Sequence, residues 1–201
     1  MGSSTFMRSG RRWGILAILF AASSYADTIT FTHTGIGSGV IGTTSFSNAA
    51  FTITDGGDTT NVEAIGGGFS LEDAFASIEI SGVGTFDFTS ATRTFVSGDI
   101  VGFSRGTTMG SDLFDGPNSA AFATWDMLTS IGPISGSGQL LQWSMSAVDT
   151  TGGVLVFDNS DTDTVFTATV GTAVPEPAET IPFGVAVVII AILAKRLKTS
   201  Y

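Results

Sequence analysis

Hydrophobic and polar positions alternate along most of the chain between Asp27 and Ala173. Ile29, Phe31 and His33 fall on one side of a two-residue period, and Thr28, Thr30, Thr32 and Thr34 fall on the other. Phe51 and Ile53 alternate with Thr52 and Thr54, Ile78 and Ile80 with Glu79, and Phe86 and Phe88 with Asp87. Val154, Val156 and Asp158 oppose Leu155 and Phe157. A period of two is what a half-buried strand requires, because successive side chains point to opposite faces. It predicts strands near 28–34, 38–46, 50–55, 76–81, 84–89, 92–97, 99–104, 121–129, 139–145, 153–158 and 164–170. Turn signals divide them at Gly56-Gly57, Ser97-Gly98, Gly106, Gly116-Pro117, Gly132-Pro133 and Asn159. Within 121–129, Phe122, Trp125 and Leu128 also fit a helical spacing, and the segment is read as strand. Many short strands at this spacing predict an all-β domain of the β-sandwich or jelly-roll kind.

Two apolar runs break the alternation, one at each end. Arg8, Arg11 and Arg12 precede Trp13–Ala22, a run of ten residues that is too short to span a bilayer. Ser24 and Ala26 then place small residues where a signal peptidase needs them. Residues 1–26 therefore predict a signal peptide helix cleaved after Ala26, by the general secretory route. At the other end stands Val174-Pro175-Glu176-Pro177, then an apolar run over 181–194, then Lys195-Arg196-Leu197-Lys198. The prolines favour an extended segment before the helix, and Pro182 sits in its first turn, where a missing N–H costs little. Fourteen residues at ~1.5 Å each give about 21 Å, short of a hydrocarbon core of ~30 Å. Snorkelling lysines recover part of that gap. The basic residues at both ends put both in the cytoplasm, so the precursor crosses the membrane twice with 27–173 outside.

The order of Val174, Pro175, Glu176 and Pro177, an apolar helix and the basic stop of Lys195, Arg196 and Lys198 resembles the PEP-CTERM sorting signal. The likeness covers about the last 28 residues and is matched by the signal peptide at the other end. Thr199-Ser200-Tyr201 extend beyond the point where many such tails end. The resemblance implies recognition of the tail by exosortase, a membrane-embedded processing enzyme of Gram-negative bacteria. It implies transient anchoring in the cytoplasmic membrane, then delivery to the cell surface or the exopolysaccharide matrix. The chain then divides into a signal peptide (1–26), a β ectodomain (27–173) and a sorting tail (174–201). Gly/Thr-rich β domains of this size are familiar from proteins with this signal, and the likeness confers no activity.

Composition narrows the ectodomain further. It holds 25 Thr and 22 Gly, which supply strand positions and turns respectively. Sixteen carboxylates face only Arg93 and Arg105, with no Lys. Such a surface repels phosphates, so a nucleic-acid partner is excluded. The absence of cysteine excludes disulfides, thiolate metal sites and a cysteine nucleophile.

Several motifs lack the context that their chemistry needs. Gly102-Phe103-Ser104-Arg105-Gly106 matches a nucleophile elbow, but the single histidine, His33, lies upstream and no helical period follows. Gly37-Ser38-Gly39-Val40-Ile41-Gly42 matches a dinucleotide fingerprint, but Thr43–Thr54 continues as strand. His33 reads as a packed or edge histidine rather than a ligand. The acidic stretches 55–58, 112–116 and 158–163 read as solvated turns. No cofactor is expected, with a structural Ca²⁺ on Asp55, Asp58, Asp161 and Asp163 as the alternative. The expectation is a non-enzymatic surface or matrix protein. Two alternatives accompany it. One is a carbohydrate-binding module for extracellular polysaccharide, using Trp125, Trp143, Phe103 and Phe114 as a sugar platform. The other is a permanently membrane-anchored adhesin.

Overall fold

Alternation of apolar and Thr residues builds two long strands first, β1 (Thr28–Ile41) and β2 (Thr44–Asp58). A computed structural model describes residues 27–106 and 111–171, and 69% of them are in strands. Shorter strands follow as β3 (Glu63–Ile65), β4 (Gly68–Glu72), β5 (Phe75–Ile80) and β6 (Gly84–Asp87). Then come β7 (Thr92–Ser97), β8 (Ile100–Arg105) and β9 (Asp112–Asn118). The last are β10 (Ile131–Leu140), β11 (Val148–Thr150), β12 (Gly153–Phe157) and β13 (Ser160–Gly171). The fold is all-β, and every pairing within it is antiparallel. The strand order is β3-β4-β7-β8-β9-β10-β13-β1-β2-β5-β6, with β12 joining β1 and β11 joining β12.

The hub is β1. It pairs with β2 along its whole length, with β13 over Thr28–Thr34 and with β12 over Gly39–Ile41. The glycines between these two pairings make room for rings. A Cβ on Gly35 would lie 2.7 Å from the Phe51 ring, and one on Gly37 would lie 2.7 Å from the Phe157 ring. The strand therefore continues through Gly35–Gly39, where the sequence predicts a break between 28–34 and 38–46. Other expected turns are also strand. Gly56-Gly57 lies inside β2, Gly116-Pro117 inside β9, and Gly132-Pro133 inside β10 at a register shift. Glycine in these strands marks close backbone approach rather than chain reversal.

One part of the sheet lies over another and the core fills the space between. Phe114 of β9 meets Phe51 of β2 with ring centroids 5.7 Å apart. Phe103 of β8 and His33 of β1 are 6.1 Å apart. Two apolar clusters form. The first gathers Phe51, Phe103, Phe114, Trp143 and Phe157, and the second gathers Phe31, Leu71, Val96, Phe122, Trp125 and Phe166. Full burial of each such side chain contributes about 1.5–3 kcal/mol.

Two expected strands are not formed. Phe122–Thr124 is a 3₁₀ turn, and its spacing sends Phe122, Trp125 and Met127 into the second cluster. The helical spacing holds only for Phe122 and Trp125, because Leu128 is exposed and Met127 is buried in its place. Of 139–145 only Gln139 and Leu140 are strand, and Trp143 enters the core from the segment that follows. No helix among the described residues is long and apolar enough to cross a membrane. The signal peptide expected over 1–26 and the helix expected over 181–194 lie outside the described residues.

The seat of β12 on β1 gives a direct test. A Cβ on Gly39 would overlap the Val156 carbonyl oxygen and lie 2.9 Å from Phe157 Cα. Gly39→Ala is expected to cost about 2–3 kcal/mol in urea unfolding. Gly66→Ala, whose Cβ meets nothing within 4 Å, is expected to cost less than about 0.5 kcal/mol. Equal midpoints for the two variants would show that β12 is not seated there.

Candidate functional site

Strand alternation carries three polar residues to the inner face. His33 follows Ile29 and Phe31 in phase on β1, Asp55 follows Phe51 and Ile53 on β2, and Thr94 lies between Thr92 and Val96 on β7. All three are fully buried. Thr94 Oγ1 donates to Asp55 Oδ1 at 2.7 Å, and His33 Nε2 lies 3.2 Å from the same hydroxyl. Because that hydroxyl hydrogen is committed to Asp55, His33 Nε2–H is the donor to Thr94. The neutral imidazole therefore carries its proton on Nε2, and Nδ1 has no partner. His33 also lies 3.7 Å from Asp55 Oδ2. Three rings enclose it, those of Phe103, Phe114 and Phe166, at 6.1, 6.0 and 4.9 Å. The first two belong to one apolar cluster and Phe166 to the other, so the imidazole sits at the seam between them. Burial drives its pKa down to about 3.

Asp73 extends this chain toward the surface. It lies in the short link between β4 and β5, where its N–H bonds Thr92 O at 3.0 Å and the Ala74 N–H bonds Gly56 O at 2.7 Å. The link thus crosses from β7 to β2. The carboxyls of Asp55 and Asp73 interact directly. With both ionised, Asp55 Oδ2 and both Asp73 oxygens are buried without a hydrogen-bond donor in good geometry. A proton on Asp55 Oδ2, donated to Asp73, supplies one. Burial, reinforced by the Asp73 charge, raises Asp55 well above the carboxylate range. Burial pushes Asp73 up to about 7. Over the link opens a cavity of about 460 Å³, edged by Thr60, Asn61, Glu63, Ser70, Glu72 and Asp73. The polar chain can hold a proton at neutral pH and pass it between carboxyls. His33, Thr94 and Asp55 have no solvent face from which to meet a substrate.

The calcium candidates are not brought together. Asp55 and Asp58 lie on β2 rather than in a turn, and their three-residue offset sends Asp55 inward and Asp58 to the strand end. Asp58 caps the next turn, accepting from the Thr60 N–H and hydroxyl at 2.7 Å each, which holds its pKa below the usual value. Asp161 and Asp163 lie on the outer face of β13 rather than in a turn, and Asp161 accepts from Gln139 Nε2 at 2.9 Å. The stretch 112–116 is strand as well, part of β9. Among the described residues no three His, Asp or Glu side chains are grouped to hold a metal.

The four aromatics of the alternative sugar platform are core residues, as period-two aromatics in a sandwich usually are. Phe103, Phe114 and Trp143 are fully buried and Trp125 nearly so, because their strands and turns face inward. None of them can stack on a sugar. Ser104 lies inside β8 and donates to Asp112 at 2.8 Å, so it occupies no strand-to-helix elbow. Ala26, Val174, Pro175, Glu176, Pro177, Lys195, Arg196 and Lys198 lie outside the described residues. Asp73 and Thr94 carry no sequence signal. Asp55 does, since it continues the apolar phase of Phe51 and Ile53. No family model matches the chain, and no curated protein or solved structure is similar to it.

Two outcomes follow from the network. Thr94→Val removes the hydroxyl that bridges His33 and Asp55 and leaves His33 Nε2 and Asp55 Oδ1 unpaired, so it is expected to cost about 2–4 kcal/mol in urea unfolding. A cost below ~1 kcal/mol would mean that the bridge carries little. The second outcome concerns pH. A carboxyl whose pKa is raised on folding contributes stability that is full at low pH and lost as pH rises toward the folded value. Asp55 and Asp73 behave so, from about pH 4 to pH 7 and above. Burial first, and then the Asp112 charge, raises Asp115 to about 6, which acts in the same direction. His33 opposes them, since its depressed pKa contributes stability above about 6.5 that is lost as pH falls toward 3. Three carboxyls outweigh one imidazole until they are protonated in both states. The urea midpoint is therefore expected to rise from pH 8 to about pH 5 and to fall again below pH 4.

Proposed function

We propose that the chain is an exported, non-enzymatic surface or extracellular-matrix protein, sorted by a PEP-CTERM signal and processed by exosortase. The observation that carries this reading is the pairing of an N-terminal signal peptide with the tail Val174-Pro175-Glu176-Pro177, apolar run and Lys195-Arg196-Leu197-Lys198. The cargo is the β domain, sandwich-like in that one part of its sheet covers another. Its geometry supports two membrane attachments. Thr28 of β1 pairs with Gly171 of β13, so the two ends leave the domain side by side. A precursor held at both ends then needs no connection around the domain. The burial of His33, Thr94 and Asp55 supports a structural rather than a catalytic role for the polar network. In this reading the cytoplasmic membrane and exosortase are partners during sorting, and the matrix polysaccharide surrounds the mature protein.

The test replaces Pro175, Glu176 and Pro177 by Ala in a Gram-negative host that carries exosortase. The unaltered chain is expected at the surface with an intact mass that begins at Asp27 and ends near 175–177. The variant is expected in the membrane fraction with residues 181–201 still attached. If both chains retain 181–201, the protein is a permanently anchored one and the sorting reading falls.

A further inference from the structure

We propose that the Asp55–Asp73 pair is a proton-operated latch that holds the β4–β5 link against β2, closed while the pair carries a proton and released when it is lost. The inference is independent of how the chain is sorted. It rests on where the two carboxyls are placed. Asp55 comes from β2, on one side of the core, and Asp73 from the link that follows β4, on the other. Only two backbone bonds fix that link, Asp73 N–H to Thr92 O and Ala74 N–H to Gly56 O. Asp55 Oδ2 and both Asp73 oxygens are buried beneath them without a donor in good geometry, and one shared proton joins Asp55 Oδ2 to an Asp73 oxygen. Two negative charges at this contact would repel in a low-dielectric setting, and the groups that favour ionisation are the neutral donors Thr92 and the Thr94 amide at Asp73 and the Thr94 hydroxyl at Asp55.

The neighbouring groups leave the proton as the controlling charge. From β1, His33 is neutral, since burial drives its pKa far below neutrality. From β7, Thr94 donates to Asp55, and Thr92 and the Thr94 amide lie beside Asp73. Arg93 stands across from Glu72 in the β4–β7 pairing, with its guanidinium carbon 5.8 Å from the Phe95 ring centre. Glu72 on β4 adds negative charge beside Asp73, and Glu63 on β3 edges the same cavity. Asp58, at the end of β2, is engaged by Thr60. The environment therefore disfavours a second ionisation. When the proton leaves to solvent, repulsion acts on the segment with the fewest restraints, the link at Asp73 and Ala74. Its opening joins the 460 Å³ cavity to the buried His33–Thr94–Asp55 chain.

Hydrogen exchange of the full-length chain in detergent, corrected for intrinsic rates, tests this at pH 5 and pH 10. Asp73 ionises first, near 7, while Asp55 still holds the shared proton, so release follows the Asp55 step above it, and protection of the Asp73 and Ala74 amides is expected to fall at least about tenfold between the two pH values. The amides of β1 and β13 over 28–34 and 165–171 are expected to change less than about twofold. Asp73→Asn is expected to abolish the pH difference. Protection that is the same at both pH values, or a difference that survives in Asp73→Asn, overturns the latch. So does an equal loss in every strand, which is global destabilisation rather than local release. Should Asp73→Asn fail to fold, ¹³C carboxyl titration of the unaltered chain decides. Two aspartates besides Asp115 are expected to remain protonated at pH 6, with Asp115 assigned by Asp115→Asn. If all the others ionise below pH 5, there is no proton to operate the latch and the proposal fails.

Discussion

Thr94 accepts a hydrogen bond from His33 and donates one to Asp55, and so joins β7 to β1 and β2 through the middle of the core. Most of the contact between the two sides of the sheet is apolar and has no directional preference. A hydroxyl placed between an imidazole and a carboxyl admits one register only. A slip of one residue along β7 would turn Thr94 outward and leave two buried polar groups unmatched. Burial explains why His33 is neutral: enclosed by Phe103, Phe114 and Phe166, it has no solvent to stabilise a charge.

The same contact organises the two apolar clusters. His33 touches rings of both, so the seam is polar at one point and apolar around it. On one side, Gly35 and Gly37 let the Phe51 and Phe157 rings lie against β1. On the other, Phe166 stacks on Phe31 with centroids 6.2 Å apart. The long first strand can change neighbours from β13 to β12 because its glycines leave space for these rings. The acidic pair of Asp55 and Asp73 then continues the polar line from the seam toward the surface. Asp73 of that pair lies in the link between β4 and β5, where the chain crosses from β7 to β2.

The strand pairing of Thr28 with Gly171 connects the fold to the two terminal segments. The first and last strands of the described residues therefore begin and end side by side. The acidic residues exposed on the β domain outnumber its two arginines, Arg93 and Arg105, which makes anionic partners unfavourable.

Alternation alone determined the all-β class, because the two-residue period follows from strand geometry and needs no knowledge of neighbours. The inward phase of Ile29, Phe31 and His33, and of Phe51 and Ile53, was readable for the same reason. Strand ends were less readable, because glycine serves both turns and close packing. Gly56-Gly57 looks like a turn until Ile29 is seen against it, and Gly116-Pro117 looks like one until β10 is placed beside it. Asp55 continues an apolar phase and so could have been read as buried. Thr94 and Asp73 could not, since their partners lie 39 and 18 positions away along the chain. Those contacts arise only when β2, β7 and the β4–β5 link converge. A local pattern sets which face a residue takes, and only the tertiary fold decides which other face it meets.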